Sequence, residues 1–315
     1  MKKKEFMQSN GKAAAFLLPF MFNFIILGMV PLALGILVSF FKFDLYDLSS
    51  LEFVGFENYA MIFKDNVFAS QFWQGMRITA IFTLAVVPLK IIIPLGLAFL
   101  LSFKPFGYKV FQAILYFPTV ISVSIVGVLF VGIFSDSSLS LFNATFGTEI
   151  TWLSNNTLRW VVIVMANIWS GTGGNTLILL SAINNVPKSL GEACEADGGN
   201  WWMRFRTVIL PGIKGSIEIV LFTSIINSFN LYGLPLVINH PINKYDVVSP
   251  MILIQSWLSD LNKARLTGLI TAGSIIFGMV IMIVTIIQRT TMNKKKKGDR
   301  YAKRYVEYKK DKEMA

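Results

Sequence analysis

Few residues in this chain are of a type that does chemistry, and their spacing narrows what they do. There is one cysteine, Cys194, and one histidine, His240. A single thiol forms no intramolecular disulfide, and neither residue has the surrounding ligand set that a metal site needs. His240 reads as a solvated loop residue. No G-x-x-x-x-G-K-[ST] stretch is present to cradle a nucleotide phosphate. No His/Asp/Glu or Ser/Lys constellation suggests a membrane-embedded enzyme. The segment with the most to say is Glu192-Ala193-Cys194-Glu195-Ala196-Asp197-Gly198, followed by Val208-Ile209-Leu210-Pro211 and flanked by Lys188, Arg204, Arg206 and Lys214.

Pro187 opens a helix there, because a proline in the first turn forfeits no hydrogen bond. Ser189 and Glu192 have capping-box spacing. Ala193 and Ala196 are small and three apart, so one face admits a close partner, with Glu192 and Glu195 on a neighbouring stripe. Gly198-Gly199 ends the helix, since glycine takes the left-handed C-terminal conformation without strain. Trp201, Trp202 and Phe205 form an apolar edge, and Leu210-Pro211 restarts a helix. Periodicity alone fits two readings equally: an amphipathic connector on the membrane, or a docking element.

The elements that position this loop are long and apolar. The chain has 315 residues, 54% of them hydrophobic, and a mean hydropathy of +0.59. That is an all-α, polytopic membrane protein. A spanning helix takes about 20 apolar residues, and six windows qualify: Ala13–Phe41, Ile78–Phe103, Val110–Phe134, Trp160–Ile183, Gly215–Leu236 and Leu266–Ile287. The outer ends of the third and fifth are soft in Gly and Ser. The apolar run after Met1-Lys2-Lys3-Lys4 is too long for a signal core and is read as a retained helix. The domain division is residues 1–12 as an N-terminal segment, 13–289 as the six-helix body with the loop 184–214 inside it, and 290–315 as a basic, hydrophilic tail, solvated or lying on the headgroups.

The net charge of +11 is a topology signal. With the N-terminus inside, 21 of the 29 Lys and Arg residues fall on the inner side and six outside. Arg77 and Lys90 fall at or within the second span. The bias places both termini in the cytoplasm. It calls for no nucleic acid, and anionic lipid is a secondary contact. The outer loops carry elements such as Val54-Gly55-Phe56-Glu57-Asn58-Tyr59 and Trp152-Leu153. These are read as short surface helices that anchor at the interface or dock an outer partner.

Polar side chains within spans mark pathways or helix contacts. The fifth window holds Ser224, Asn227, Ser228, Phe229, Asn230 and Tyr232; the sixth holds Thr267, Thr271 and Ser274; the fourth holds Asn167, Trp169 and Ser170. The neutral amide character of the fifth window suits a neutral polyol-like solute over a strongly charged one. Lys90, between Pro88 and Pro94, costs roughly 2.5–3.5 kcal/mol in the bilayer centre unless it faces the bundle or a partner. Glu218 is the only acidic residue within the six windows, which argues against an ion-coupled secondary carrier.

The spacing Glu192, Ala193, Gly198, Leu210, Pro211 resembles the EAA loop of binding-protein-dependent ABC importer permeases, with Cys194 and Val208 as small departures. The sequence 183–187 (Ile-Asn-Asn-Val-Pro), the step Asp197-Gly198-Gly199, Trp202 and Phe205, the run Phe111 to Pro118 and the outer element 54–59 are similar to the carbohydrate-uptake branch of maltose and multiple-sugar permeases. Arg77 stands where such chains often have a small polar residue, and the stretch 239–243 lacks the usual turn after helix five. The resemblance implies a six-helix permease subunit of a bacterial or archaeal cell (inner) membrane, not an enzyme, that transports sugars, oligosaccharides in particular. Glu192, Ala193, Gly198, Leu210 and Pro211 then couple to a separate ATPase. Asn227, Ser228, Phe229, Asn230, Tyr232 and Thr271 line the substrate path. The implied partners are a second, different permease, an ATPase dimer and an extracytoplasmic sugar-binding protein. No cofactor is expected on this chain, because ATP and Mg belong to the ATPase. Transport of another polar solute, such as glycerol phosphate, stays open within the same family.

The charge count makes a direct prediction. Reporters fused after Ala315 and inserted near Asn200 should both register as cytoplasmic, and one near Asn243 as external. An external signal at Asn200 would place the loop beyond the reach of any ATPase.

Overall fold

The structure is a computed structural model that describes residues 17–44, 46–64, 66–239 and 249–314; the side chains of 48, 262, 264, 265 and 291–314 are not described. His240, most of the stretch 239–243 and the first twelve residues thus lie outside the described residues. The chain divides into two units, one formed by Met1–Phe72 with Leu253–Gly278 and the other by Trp73–Ile252 with Met279–Ala315.

In the first unit, α1 (Leu17–Val38) has a mean hydropathy of 2.4 and none of that window is buried. It contains one wide π turn, Ile25–Met29. Two short antiparallel strands follow, β1 (Phe41–Asp44) and β2 (Asp47–Phe53), paired Phe41 to Phe53 and Lys42 to Glu52. The sequence reading took this stretch as the end of a span and a loop with surface helices; it is a hairpin. The short helix α2 (Glu57–Met61) fastens it. Buried Asn58 donates from Nδ2 to the carbonyls of Ser39 (2.8 Å) and Phe41 (2.9 Å), and Tyr59 shares a 2.7 Å hydrogen bond with Ser39. The element 54–59 thus clamps backbone, while Phe56 stays exposed. A Cβ at Gly268 would fall 1.8 Å from the Phe41 carbonyl oxygen, so only glycine fits there.

Helix α3 (Val67–Ser102) runs 36 residues, about 54 Å at the α-helical rise. It contributes to both units. The second unit continues with α4 (Tyr108–Val120) and α5 (Val123–Phe134), which the sequence reading joined into one straight span. They are bent by 101° at the break. Ile121 is extended, and Ser122 caps α5 by accepting from the Ile125 N–H. Neither half exceeds roughly 20 Å, so neither crosses a 30 Å hydrocarbon layer alone. Next come α6 (Leu141–Phe146) and then α7 (Asn156–Asn184), capped by the Asn155 side chain.

Beyond the inner loop, α10 (Lys214–Phe229) breaks at Asn230 to Tyr232 and resumes as α11 (Gly233–Ile238). Both windows with soft outer ends are therefore interrupted spans. Their outer halves pack together: a Cβ at Gly127 would lie 2.7 Å from Val237, and one at Gly233 would lie 2.6 Å from Val123. Phe130, Phe134, Val162, Leu231, Leu234 and Ile238 fill the surrounding core. Helix α12 (Pro250–Leu258) precedes α13 (Thr267–Met314), whose backbone continues helical from the last span into the basic tail. Among the described residues, five helices are long and apolar enough to cross a membrane, or six crossings if α4 and α5 form one bent span.

Helices α4 and α7 approach most closely at Gly173, where a Cβ would come within 2.1 Å of the Leu115 carbonyl oxygen. Gly173→Leu should lower the melting temperature of the solubilised protein by the equivalent of about 1–3 kcal/mol, the cost of overpacking. Gly96→Ala, with open space around it, should leave it unchanged. Equal melting of both variants would refute this close packing.

Candidate functional site: the inner loop and the amides of the spans

The inner loop forms two short helices that turn back on each other. Helix α8 (Lys188–Ala196) starts after extended Pro187, with no side chain capping it. The capping box expected from Ser189 and Glu192 does not form, because the helix begins at Lys188 and Ser189 lies inside the first turn. The C-terminus follows the sequence reading closely. Gly198 is left-handed at φ +79°. The Gly199 N–H donates to the Cys194 carbonyl (2.8 Å) and the Gly198 N–H to that of Glu195 (3.0 Å). This pair of bonds is a Schellman termination. Gly199 is required as well, since a Cβ there would sit 2.6 Å from the Cys194 carbonyl oxygen and from its Sγ.

Asn200 then caps α9 (Trp201–Arg204) by accepting from the Met203 N–H at 2.9 Å. The helix continues through a π turn, Phe205–Ile209, into Leu210–Gly212. Leu210-Pro211 was expected to restart a helix. Instead it prolongs one: the Leu210 N–H reaches back to the Phe205 carbonyl, a wider spacing that fits the turn around a proline with no N–H to give. The chain turns at Ile213 into α10.

Three contacts lock this loop. The Arg204 guanidinium lies over Gly191, where a Cβ would meet its Nε at 2.9 Å, and its Nη1 donates to Glu195 Oε1 at 2.7 Å. The pair is partly exposed and contributes about 0.2–1 kcal/mol. The third contact is aromatic, with Phe205 and Trp201 packed on Phe99 near the inner end of α3 at 4.7 and 6.1 Å between ring centroids. One face of α8 is thereby closed, with Gly191 buried and Glu195 paired. The opposite face is open, and Glu192, Ala193 and Ala196 are all exposed on it. Sequence reasoning named Glu195 with Glu192 on one stripe. It did not foresee the Arg204 clamp, since nothing in the order of residues says that the loop reverses at Gly198-Gly199 and Asn200.

The span residues divide. On α10, Asn227 is exposed, as is Asn230, which sits at the helix break. Ser228 is wholly buried with no partner for its hydroxyl among the described residues, and Phe229 is buried too. Tyr232 is half-buried. In the other unit, Thr271 donates to the Thr267 carbonyl one turn back (2.7 Å) and Ser274 to that of Ile270 (3.0 Å), while Thr267 is buried. The structure therefore brings Asn227 and Asn230 to an open surface and does not do so for Ser228 or Phe229. In α7, Asn167 has a buried, unpartnered Oδ1. Trp169 packs on Phe130, and the Ser170 carbonyl accepts from Thr119.

Lys90 is buried in α3 with its Nζ against Gly171. Pro94, four residues on, has no N–H for the Lys90 carbonyl. Asn175 of α7 supplies one, Nδ2 to O at 3.1 Å, and the same amide lies 3.4 Å from the Ser224 hydroxyl of α10. Three spans meet at this amide. Asn175 was missed from sequence, although a proline four residues after a span position signals a carbonyl in need of a donor.

Residues 90–296 match the family model described as binding-protein-dependent transport system inner membrane component. The chain is 28% identical to a probable starch degradation products transport system permease protein of Thermoanaerobacterium thermosulfurigenes, over 91% of this chain and 96% of that one. It is 29% identical to the arabinooligosaccharides transport system permease protein of Bacillus subtilis strain 168, over 70% of each. Its fold matches a chain of a bacterial ABC transporter that imports the acidic polysaccharide alginate, with a TM-score of 0.76 at 20% identity, over 92% of this chain and 98% of that one. This multi-pass membrane protein belongs to the family of binding-protein-dependent transport system inner membrane components and is an ABC importer permease subunit.

Proposed function

We propose that this chain forms half of a translocation path for sugars, short oligosaccharides above all, and that α8 couples it to a separate ATPase. A second, different permease completes the path. An ATPase dimer binds ATP and Mg, and an extracytoplasmic binding protein delivers the sugar. Both termini and α8 lie on the cytoplasmic side, as the charge distribution favours. The observation that carries the coupling reading is the two-sided build of α8. Its clamped face ties it to α9 and through Phe99 to α3, while Glu192, Ala193 and Ala196 face outward. A short helix with small residues outward fits a groove, and one locked to the span ends passes a push on as rigid-body motion. Glu192, Ala193 and Gly198 serve the docking helix, and Leu210 and Pro211 set the turn behind it.

Glu192→Lys reverses the charge on the open face. Gly198→Pro demands φ near −65° where +79° is required and removes the N–H given to Glu195. Both variants should reach the membrane in normal amount and lose ATP-driven uptake. Normal uptake and normal copurification of the ATPase in both would refute the coupling role.

The sugar reading is supported by the two relatives' substrates and by the pair of exposed amides on α10. Asn227 and Asn230 are three apart, about 60° around the helix, so a solute passing along that face meets both. Asn227→Ala and Asn230→Ala should each weaken the path by about 1–3 kcal/mol, through a hydroxyl left unpaired. The expected outcome is slower uptake and altered preference across a panel of labelled oligosaccharides, monosaccharides and glycerol 3-phosphate, with basal ATPase activity kept. Lower complex stability with unchanged preference would make the two amides packing groups. Preference for glycerol 3-phosphate would move the chain to the other branch.

A further inference from the structure

The closed face of α8 is not filled by protein. Behind it lies a cavity of about 470 Å³, bounded by the ends of α3 and α7, by α8 and by α9. Its charged lining is all basic: Lys104, Lys188 and Arg204 border it beside neutral Ser102 and Asn184, and no acidic side chain does. Among the described residues neither Lys104 nor Lys188 has a carboxylate partner, and Arg204 shares only Nη1 with Glu195. The rest of the lining is apolar and includes Phe99, Phe103, Val186 and Ile209.

Lys104 adds a second observation. It is the only non-glycine residue with positive φ among the described residues, at +51°, and it stands just before Pro105. That conformation is uncommon for a residue with a side chain. It puts a cation two residues past the end of α3, where the negative end of the helix dipole favours one, and on the cavity wall. Phe103 of the lining is exposed, as are Phe106, Trp201 and Trp202 in the adjoining segments of the chain, the aromatic character of a membrane–water interface.

We propose that this cavity binds the phosphate headgroup of an anionic phospholipid from the adjoining leaflet, with Lys104, Lys188 and Arg204 as its ligands. The mixed lining suits such a molecule better than a free anion, since the phosphate meets the cations while glycerol and the first acyl carbons meet Phe99 and Phe103. Basic recesses between spans at the inner surface are suited to such headgroups. The lipid would brace α8 from behind while its open face meets the ATPase. Only that last consequence rests on the coupling reading; the binding site does not.

The test uses the full chain in nanodiscs of phosphatidylcholine with an equal share of phosphatidylglycerol, and native mass spectrometry counts the retained lipids. A nanodisc has two equivalent leaflets, so the result does not depend on which side is cytoplasmic. Phosphatidylglycerol should be retained in preference to phosphatidylcholine. Lys104→Gln with Lys188→Gln should reduce that preference by about tenfold or more, the effect of removing two charges at a headgroup. Lys104→Arg with Lys188→Arg should keep it and so exclude misfolding as the cause. Unchanged preference in the glutamine variant, displacement of the lipid by millimolar inorganic phosphate, or loss in the arginine variant as well as the glutamine one would each overturn the proposal.

Discussion

Within a bilayer a backbone carbonyl without a donor has no water to turn to, and each such group costs several kcal/mol. The second unit depends on how this is met. Pro94 frees the Lys90 carbonyl, and an amide from another span, Asn175, satisfies it. The break in the fifth span exposes the Leu231 carbonyl, and the buried Ser249 hydroxyl donates to it. The break in the third span is capped from within by Ser122. These three interruptions are tied to named polar side chains, and at Pro94 and Leu231 that side chain comes from elsewhere in the chain. A broken helix in this protein is also a fixed contact between elements. That is a useful property in a permease, because helices joined this way move together.

The same logic extends to the inner loop, where water is available and the problem is geometric. Helix α8 is only nine residues long, too short to hold itself. It persists because the Schellman turn closes one end and Arg204 presses on Gly191. Phe205 and Trp201 hold the following helix against Phe99. A partner that pushes on Glu192, Ala193 and Ala196 therefore pushes on α3 as well. The proposed coupling role rests on a division across one short helix, with side chains that fix it on one face and small or charged groups exposed on the other.

Much of this was legible in the sequence. Apolar length gave the spans, because the membrane tolerates little else. Gly198 announced its left-handed turn, and the spacing from Glu192 to Pro211 announced the loop. What stayed hidden depended on distant pairing. The windows could not show the 101° bend between α4 and α5, since the two short halves follow each other with only Ile121 and Ser122 between them. The hairpin Phe41–Phe53 has no tight-turn dipeptide to signal it, and it is held by Asn58 just beyond it and by the close approach of Gly268, far along the chain. The Ser189 cap failed because the helix starts two residues earlier than a capping box there requires, with Pro187 in the cap position. Among the candidate path residues, the sequence could not separate exposed Asn227 and Asn230 from buried Ser228 and Phe229. All four lie in one polar stretch, and only packing says which way each faces.

The central claim, that the open face of α8 meets a separate ATPase, is tested most directly by proximity. The single native thiol is removed as Cys194→Ala, and a cysteine is placed at Ala193 or at Ala196, each paired in turn with a cysteine along the groove of the ATPase. In the assembled, ATP-hydrolysing complex both positions should crosslink, with yields that change when ATP is trapped. A cysteine at exposed Asn227 should not crosslink under any condition. Absence of crosslinks from Ala193 and Ala196 in a complex that still hydrolyses ATP would contradict the account.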